Sequence, residues 1–433
     1  MDICCKILRE VTLLSFLVIL FLLVLFTLPS RDLDPASNLD QLELGLDFTS
    51  SGLPYRKQPE NEIGDSPQLA CPPNDLSKVV TISRYPGGMG DRLKGLINAF
   101  VVALLANRTL VVQRDIFSGA DDHYLQEGPC HWMRSRSELP SSNVWKKEVI
   151  DVRGERFNTV DFASHSEVPV WDFVSNMLVT DEVILNPDFS SSPMMPILRE
   201  LHKKGLLVHS CLRMLLQPSP SLTNYTITTL AKSDPNREHY LIGIHIRTGD
   251  NQMHTTKKKR DFRGSHPHEY RMAPESSFEC FARESVNAWE ELSLTEQAKY
   301  PKGPLVFISG DYPRGRAQVA SLLANAGFPS FDAGNWEVNH LDRSGDQTRT
   351  YLDWWFLTQC QQLVITVSGF SEFAAQWPCV PVSFFVNHPT LKKHNSFGGA
   401  DCEHHFIRMR GRGLCVPEID DNLLYEFMYE RFQ

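Results

Sequence analysis

Three segments in the second half of the chain place glycine, hydroxyl and charged residues directly after apolar runs. They are His245-Ile-Arg247-Thr-Gly249-Asp250, Ser309-Gly310-Asp311 and Ser368-Gly369-Phe370-Ser371. In the first, Ile242, Ile244 and Ile246 alternate with Gly243, His245 and Arg247. A strand here shows isoleucine on one face and His and Arg on the other. An Arg on an inner sheet face is unfavourable unless an anion meets it. Arg247 can present two donors to phosphate oxygens. The Ser368 to Ser371 run leads into a helix, whose first N–H groups and dipole favour a phosphate. Asp311 repels that anion and suits a ribose or a base as a hydrogen-bond acceptor. Together these residues describe a site for a nucleoside diphosphate.

A fourth segment lies far upstream. Gly87, Gly88 and Gly90 form a glycine-rich turn between an expected strand at 79–83 and a helix. Leu93, Leu96, Ile97, Phe100, Val101, Leu104 and Leu105 recur at helical spacing. Asn107 suits the left-handed conformation that ends a helix. A strand at 109–112 then completes a β-α-β unit. Asp91 sits at the start of this helix, across from the anion-binding segments. It is a candidate general base, and equally a helix cap. The blander readings stand beside the others. His245 also fits a core histidine, Arg247 a structural ion pair, the glycines a tight turn, and the Ser368 run a plain cap.

The elements that must hold these residues follow from periodicity. Strands at 240–247, 305–309, 363–367 and 381–386 alternate with helices at 278–292, 313–326 and 352–361 and one starting near Glu372. That order predicts an α/β protein with a parallel, doubly wound sheet, whose ligands sit beyond the carboxyl ends of the strands. Residues 117–236 mix short helices with polar loops, and Pro235 marks a junction.

The chain has 433 residues, 42% hydrophobic and 22% charged, which is ordinary for a globular protein. A net charge of −9 argues against a nucleic-acid partner. The run 11–28 carries no charge and roughly matches a bilayer core. It exceeds a signal-peptide core, and no cleavage motif follows. Lys6 and Arg9 precede it, so a cytosolic tail at 1–10, an anchor at 11–28 and a luminal remainder are expected. Residues 29–77 are acidic, broken by Pro and Gly, and read as a flexible stem. Of ten cysteines, Cys4 and Cys5 lie beside the anchor. The other eight suggest disulfides in an oxidising compartment, with Cys402 to Cys415 as the one expected pair. No C-x-x-C occurs, which argues against zinc and thioredoxin-like chemistry. The only D-x-D is Asp32-Leu-Asp34 and no P-loop pattern exists, so no metal is expected at the donor site.

Three motifs carry a resemblance. His245-Ile-Arg247-Thr-Gly249-Asp250 resembles the first motif of GDP-fucose-dependent fucosyltransferases. The glycine loop, helix and strand at 87–112 are similar to the opening of the protein O-fucosyltransferases. The stretch 353–375 is similar to their last motif. The resemblance implies a GT-B-like fold: two facing Rossmann-like domains, here 78–236 on the acceptor side and 237–433 on the nucleotide-sugar side. It implies GDP-fucose as donor, no cofactor, inversion at the anomeric carbon, and a glycan or protein hydroxyl as acceptor. Arg247 matches the Arg on the donor diphosphate. His245, Gly249, Asp250, Asp311, Ser368, Gly369, Phe370 and Ser371 complete the donor set with Gly87, Gly88 and Gly90. Arg247 and Asp91 are the expected catalytic residues. Two positions depart from the pattern. Asp91 stands where several relatives have Asn or Glu. Thr248 stands where core α-1,6-type enzymes have a second Arg, which leaves the acceptor open. A sugar-binding module without activity and a transferase for another nucleotide sugar are the alternatives. Asn107 and Asn224 lie in glycosylation sequons. The expected location is the Golgi or endoplasmic reticulum membrane, as a single-pass type II protein held by its N-terminal helix.

Overall fold

The computed structural model describes residues 69–82, 88–113, 125–134, 150–151, 167–171, 189–248, 273–334, 347–386, 402 and 405–415. Their first half is built on a sheet of five strands, β1 (Val79–Ile82), β2 (Thr109–Gln113), β4 (Met133–Arg134), β5 (Ile150–Asp151) and β6 (Glu167–Trp171), in the order β4-β2-β1-β6-β5. Every pairing in it is parallel. A separate antiparallel pair joins β3 (Leu125–Glu127) to β7 (Leu216–Pro218).

Helix α1 (Met89–Leu105) connects β1 to β2 and is buried on nearly every side. Its apolar residues surround the whole helix rather than forming one stripe, as befits a helix at the centre of a core. It ends where Asn107 takes a φ of 51°, the left-handed turn expected of that Asn. Helices α2 (Met195–Lys203), α3 (Leu207–Leu215) and α4 (Pro220–Ser233) follow. The Ser219 hydroxyl caps α4 by accepting from the Leu222 N–H at 3.1 Å, and Pro220 opens its first turn.

The second half holds six strands: β8 (Tyr240–Ile246), β9 (Pro304–Gly310), β10 (Ser330–Phe331), β11 (Gln362–Thr366), β12 (Val382–Phe385) and β13 (Phe406–Met409). Their order is β10-β9-β8-β11-β12-β13, parallel except for β13, which runs antiparallel on β12. Between these strands lie α5 (Phe278–Glu290), α6 (Leu294–Gln297), α7 (Pro313–Asn325), α8 (Thr348–Thr358) and α9 (Gly369–Gln376). From β8 the chain builds outward through β9 and β10, then returns to β11 on the other side of β8. The strand order therefore reverses between β8 and β11, the switch point at whose carboxyl ends open α/β sheets bind their ligands.

The alternation along β8 resolves into two packed faces. Ile242, Ile244 and Ile246 join Phe278 and Phe281 of α5 and Val319 and Leu323 of α7 in one apolar cluster. Leu241 faces the other way. Gly243 is on that side because α8 and its following turn fill the space. A Cβ there would stand 2.5 Å from Leu363 Cδ2 and 2.9 Å from Cys360 Sγ. This second cluster runs without a break from Leu93 and Phe100 of α1, through Leu212 of α3, to Trp354 and Trp355 of α8 and Phe373 of α9.

Three expectations are corrected. Cys402 and Cys415 do not pair with each other. Cys402 bonds Cys280, Cys415 bonds Cys379, and Cys71 bonds Cys130, while Cys211 and Cys360 are free and buried. The cause is β13, which lies between the two cysteines and carries one toward α5 and the other toward the end of α9. The stretch expected as stem is packed at its end, since Leu69 is buried and Cys71 is tied to Cys130. The expectation of a membrane-anchored Golgi or endoplasmic reticulum protein is not upheld. Among the described residues no helix is long and apolar enough to cross a membrane, and 11–28 lies outside them.

The edge strand β13 is fixed to α5 by charge as well as by the disulfide. Arg408 grips Glu284 with two parallel hydrogen bonds, Nε to Oε1 at 2.7 Å and Nη2 to Oε2 at 2.6 Å. Its third donor reaches Glu291 at 3.1 Å.

Candidate active site at the switch point

The carboxyl ends of β8 and β11 gather most of the residues singled out from sequence. The His245 side chain is buried near the end of β8 and lies against the Phe370 ring, centroid to centroid 5.0 Å. Arg247 is the first residue beyond β8 and is part-exposed. The expectation of an Arg on a buried inner face is thus too strong, since Arg247 lies just past the end of the strand. Its backbone is fixed: its N–H donates to Thr366 Oγ1 at 3.1 Å, and its carbonyl accepts from the Ala273 N–H at 2.8 Å.

Thr366 ends β11 and leads into the Ser368 loop. Helix α9 begins at Gly369, earlier than expected, so Gly369, Phe370 and Ser371 form its first turn. Ser368 is the N-cap residue, yet its hydroxyl makes no capping bond. Ser371 is fully buried, and its hydroxyl donates back to the carbonyls of Thr366 and Ser368, each at 3.2 Å. Ser371 therefore ties the loop into shape. The first turn of α9 thus lacks a side-chain cap.

The glycine loop of the first half meets this turn directly. A Cβ on Gly90 would lie 2.5 Å from both the Gly369 carbonyl carbon and the Phe370 nitrogen. Only a residue without a side chain lets α1 approach so closely. The amino ends of α1 and α9 consequently lie side by side. Gly88 is the N-cap of α1, extended at φ −74° and ψ 177°, with no side-chain cap. Asp91 is the third residue of the helix and part-exposed, so the cap role falls to Gly88 instead. Arg92 beside it is buried, a feature the sequence pattern did not single out. Gly87, Gly249 and Asp250 lie outside the described residues.

Asp311 anchors the residues just past the end of β8. Its Oδ1 accepts from both the N–H and the hydroxyl of Thr248, each at 2.8 Å. Thr248, noticed in the sequence only as the place of a missing second Arg, thereby links the ends of β8 and β9. Behind β9 lies a charged cluster that sequence reading overlooked. Arg316 Nη1 donates to the Gly310 carbonyl at 2.7 Å. Ser309 donates to Asp353 Oδ2 at 2.9 Å, and Arg349 Nε stands 2.6 Å from Asp353 Oδ1. Arg349 and Asp353 are both buried, and Asp332 lies 3.8 Å from Arg316 and from Arg349. Burial pushes the Asp353 carboxyl above the usual carboxylate range, against the pull of Arg349 and Ser309. The i, i+4 spacing of Arg349 and Asp353 was the available signal. Asn107 and Asn224 are both exposed.

No protein-family model matches the chain, and no curated protein matches it. Solved structures of fucosyltransferases are similar to it. The NodZ alpha-1,6-fucosyltransferase soaked with GDP-fucose has 14% sequence identity and a TM-score of 0.44, covering 77% of this chain and 99% of that one. An Arabidopsis thaliana FUT1 mutant in complex with GDP has 16% identity and a TM-score of 0.49, covering 82% of this chain and 77% of that one. POFUT1 in complex with GDP has 11% identity and a TM-score of 0.34, covering 72% and 99%.

Proposed function

We propose that the chain is a fucosyltransferase that moves fucose from GDP-fucose to a hydroxyl of a glycan or protein, with inversion and without a metal. The observation that supports this best is the contact of Gly90 with Gly369 and Phe370. It sets two helix amino ends and the Arg247 strand end around one crevice at a topological switch point. A diphosphate there meets the N–H groups of α9 and the guanidinium of Arg247. As the acceptor oxygen attacks the anomeric carbon, the bond to the donor phosphate breaks and its electron pair passes to the departing diphosphate. Arg247 neutralises that growing charge. Asp91, on the first half, takes the proton of the attacking hydroxyl. His245 and Phe370 wall the donor pocket, and Asp311 holds the loop that carries Arg247. In this reading 78–236 serves the acceptor and 237–433 the donor. The lone D-x-D at Asp32 and Asp34, far from these motifs in sequence, is the reason for a metal-free reading.

The test is a donor-hydrolysis and transfer screen across GDP- and UDP-sugars, with and without EDTA. GDP-fucose should be turned over in preference, and chelation should leave the rate of the oxidised protein unchanged. Preference for another nucleotide sugar, or loss of activity restored by Mn²⁺, would overturn the reading.

A further inference from the structure

At the opposite end of α9 four potential ligand atoms converge. A ring nitrogen of His209, Cys379 Sγ and Cys415 Sγ all lie within 4.8 Å of one another. The carbonyl oxygen of Gln376 sits among them, 3.2 Å from His209 Nδ1, 3.6 Å from Cys379 Sγ and 3.5 Å from Cys415 Sγ. They come from three parts of the chain: α3, the end of α9, and the segment after β13. No C-x-x-C spacing brings them together, which is why the sequence showed no metal motif. Cys379 is held with φ at 53°, a left-handed conformation that non-glycine residues rarely take. Such a backbone persists only where surrounding structure over-determines it.

In the structure the two sulfurs are bonded to each other. His209 Nδ1 faces two carbonyl oxygens, Gln376 at 3.2 Å and Trp377 at 2.8 Å, so in this state Nδ1 carries the proton. We propose that the same four atoms form a site for a soft divalent cation of the zinc class once the disulfide is reduced, so that disulfide and metal are alternative closures of one place. A dithiol reductant supplies two electrons and two protons. The sulfur–sulfur bond breaks, Cys379 and Cys415 become thiols, and the reductant leaves as its own disulfide. The cation then displaces both thiol protons to solvent. His209 turns its Nδ1 lone pair to the cation, with its proton on Nε2. Two thiolates on a tetrahedral zinc stand about 3.8 Å apart, since each Zn–S bond is about 2.3 Å. The sulfurs need only separate from their bonded positions to that spacing. Two Cys, one His and one oxygen satisfy the coordination number and ligand softness of zinc. The cluster lies the length of α9 from the Ser368 loop, about 12 Å at 1.5 Å per residue. The cation therefore takes no part in transfer. It holds the same joint that the disulfide holds.

The full chain is prepared oxidised and after reduction by a dithiol removed under anaerobic conditions. Each form is titrated with Co²⁺, then with Zn²⁺ against the bound Co²⁺. The reduced protein should show thiolate-to-cobalt charge-transfer absorption that Zn²⁺ abolishes, and the oxidised protein none. His209→Ala keeps both sulfurs and should weaken binding roughly 10–100-fold, on the scale of a lost site interaction. Cys379→Ser should remove the signal, with circular dichroism checking its fold. If Cys379→Ser does not fold, His209→Ala and His209→Gln decide. Cys71, Cys130, Cys280 and Cys402, which form the other two disulfides, are kept in all three variants, so a band that survives Cys379→Ser comes from them and overturns the assignment. Absence of a charge-transfer band in the reduced wild type overturns the proposal. So does wild-type affinity in the His209 variants.

Discussion

Gly90 and Gly369 meet backbone to backbone. A Cβ on Gly90 would be 2.5 Å from Gly369 backbone, whereas a Cβ on Gly369 would be 3.3 Å from Gly90 Cα. The two glycines are therefore not equivalent. Gly90→Ala must push α1 from α9, while Gly369→Ala asks for a shift of tenths of an ångström. We expect Gly90→Ala to lower stability by about 1–3 kcal/mol, the usual range for overpacking, and to reduce GDP affinity as well. Gly369→Ala should do less of both. Thermal melts and calorimetric GDP titration on the two variants check the ranking, and equal effects would contradict the contact.

Arg247→Ala should lower turnover by about 10²–10³, the scale of losing one charge-stabilising group. The residue is part-exposed, and its bonds to Thr366 and Ala273 are made by the backbone rather than by the side chain that is removed. Its melting temperature should therefore stay near that of the wild type. Near-normal turnover would remove Arg247 from the site.

Asp91→Asn should lower turnover by about two to four orders of magnitude with GDP affinity unchanged. Gly88, not Asp91, occupies the N-cap position, so the helix start survives the substitution. Steady-state rates and GDP binding measured on the same preparation separate the base from a structural role. Unchanged turnover would send the search for a base elsewhere.

Arg349→Ala strands the buried Asp353 carboxyl without its nearest cation. Breaking a buried pair in this way is destabilising by about 3–5 kcal/mol. Because Asp353 also anchors Ser309 at the end of β9, the effect should reach the site. Denaturant unfolding measures it. A double variant with Asp353→Asn should recover part of the loss, since the stranded charge is then gone.

The legible parts of this fold are those where one pattern dominates. The strand β8 was readable because isoleucines alternate over its length, and α1 because seven apolar residues recur at helical spacing. Helix α9 begins earlier than its apolar pattern indicates. Its first turn is Gly-Phe-Ser, which carries no apolar period, and the turn exists because Ser371 bonds back to Thr366 and Ser368. Helix α8 likewise begins before its apolar pattern does, because Arg349 is polar in type but fully buried in fact. Helix α4 did carry a signal, Ser219 followed by Pro220. The cysteine pairing failed for a different reason: a short loop in sequence is no guide to proximity once a strand lies between its ends. The Thr248–Asp311 link is a contact between strand ends, and such contacts depend on strand order, which periodicity does not report.

The antiparallel strand β13 has a bearing on how copies of this chain behave toward one another. An open parallel sheet leaves a row of unpaired backbone donors and acceptors at each outer strand, a template for adding a foreign strand. Here one edge is occupied by β13, clamped through Arg408 to Glu284 and through the Cys280–Cys402 bond. The opposite edge is β10, only two residues long, too short to nucleate a ladder. Both borders of the larger sheet are thus blunted against amyloid-like stacking and strand exchange. Reduction of Cys280–Cys402 loosens one of the two safeguards on the first border, so colloidal loss of the protein should rise under reducing conditions sooner than its fold is lost.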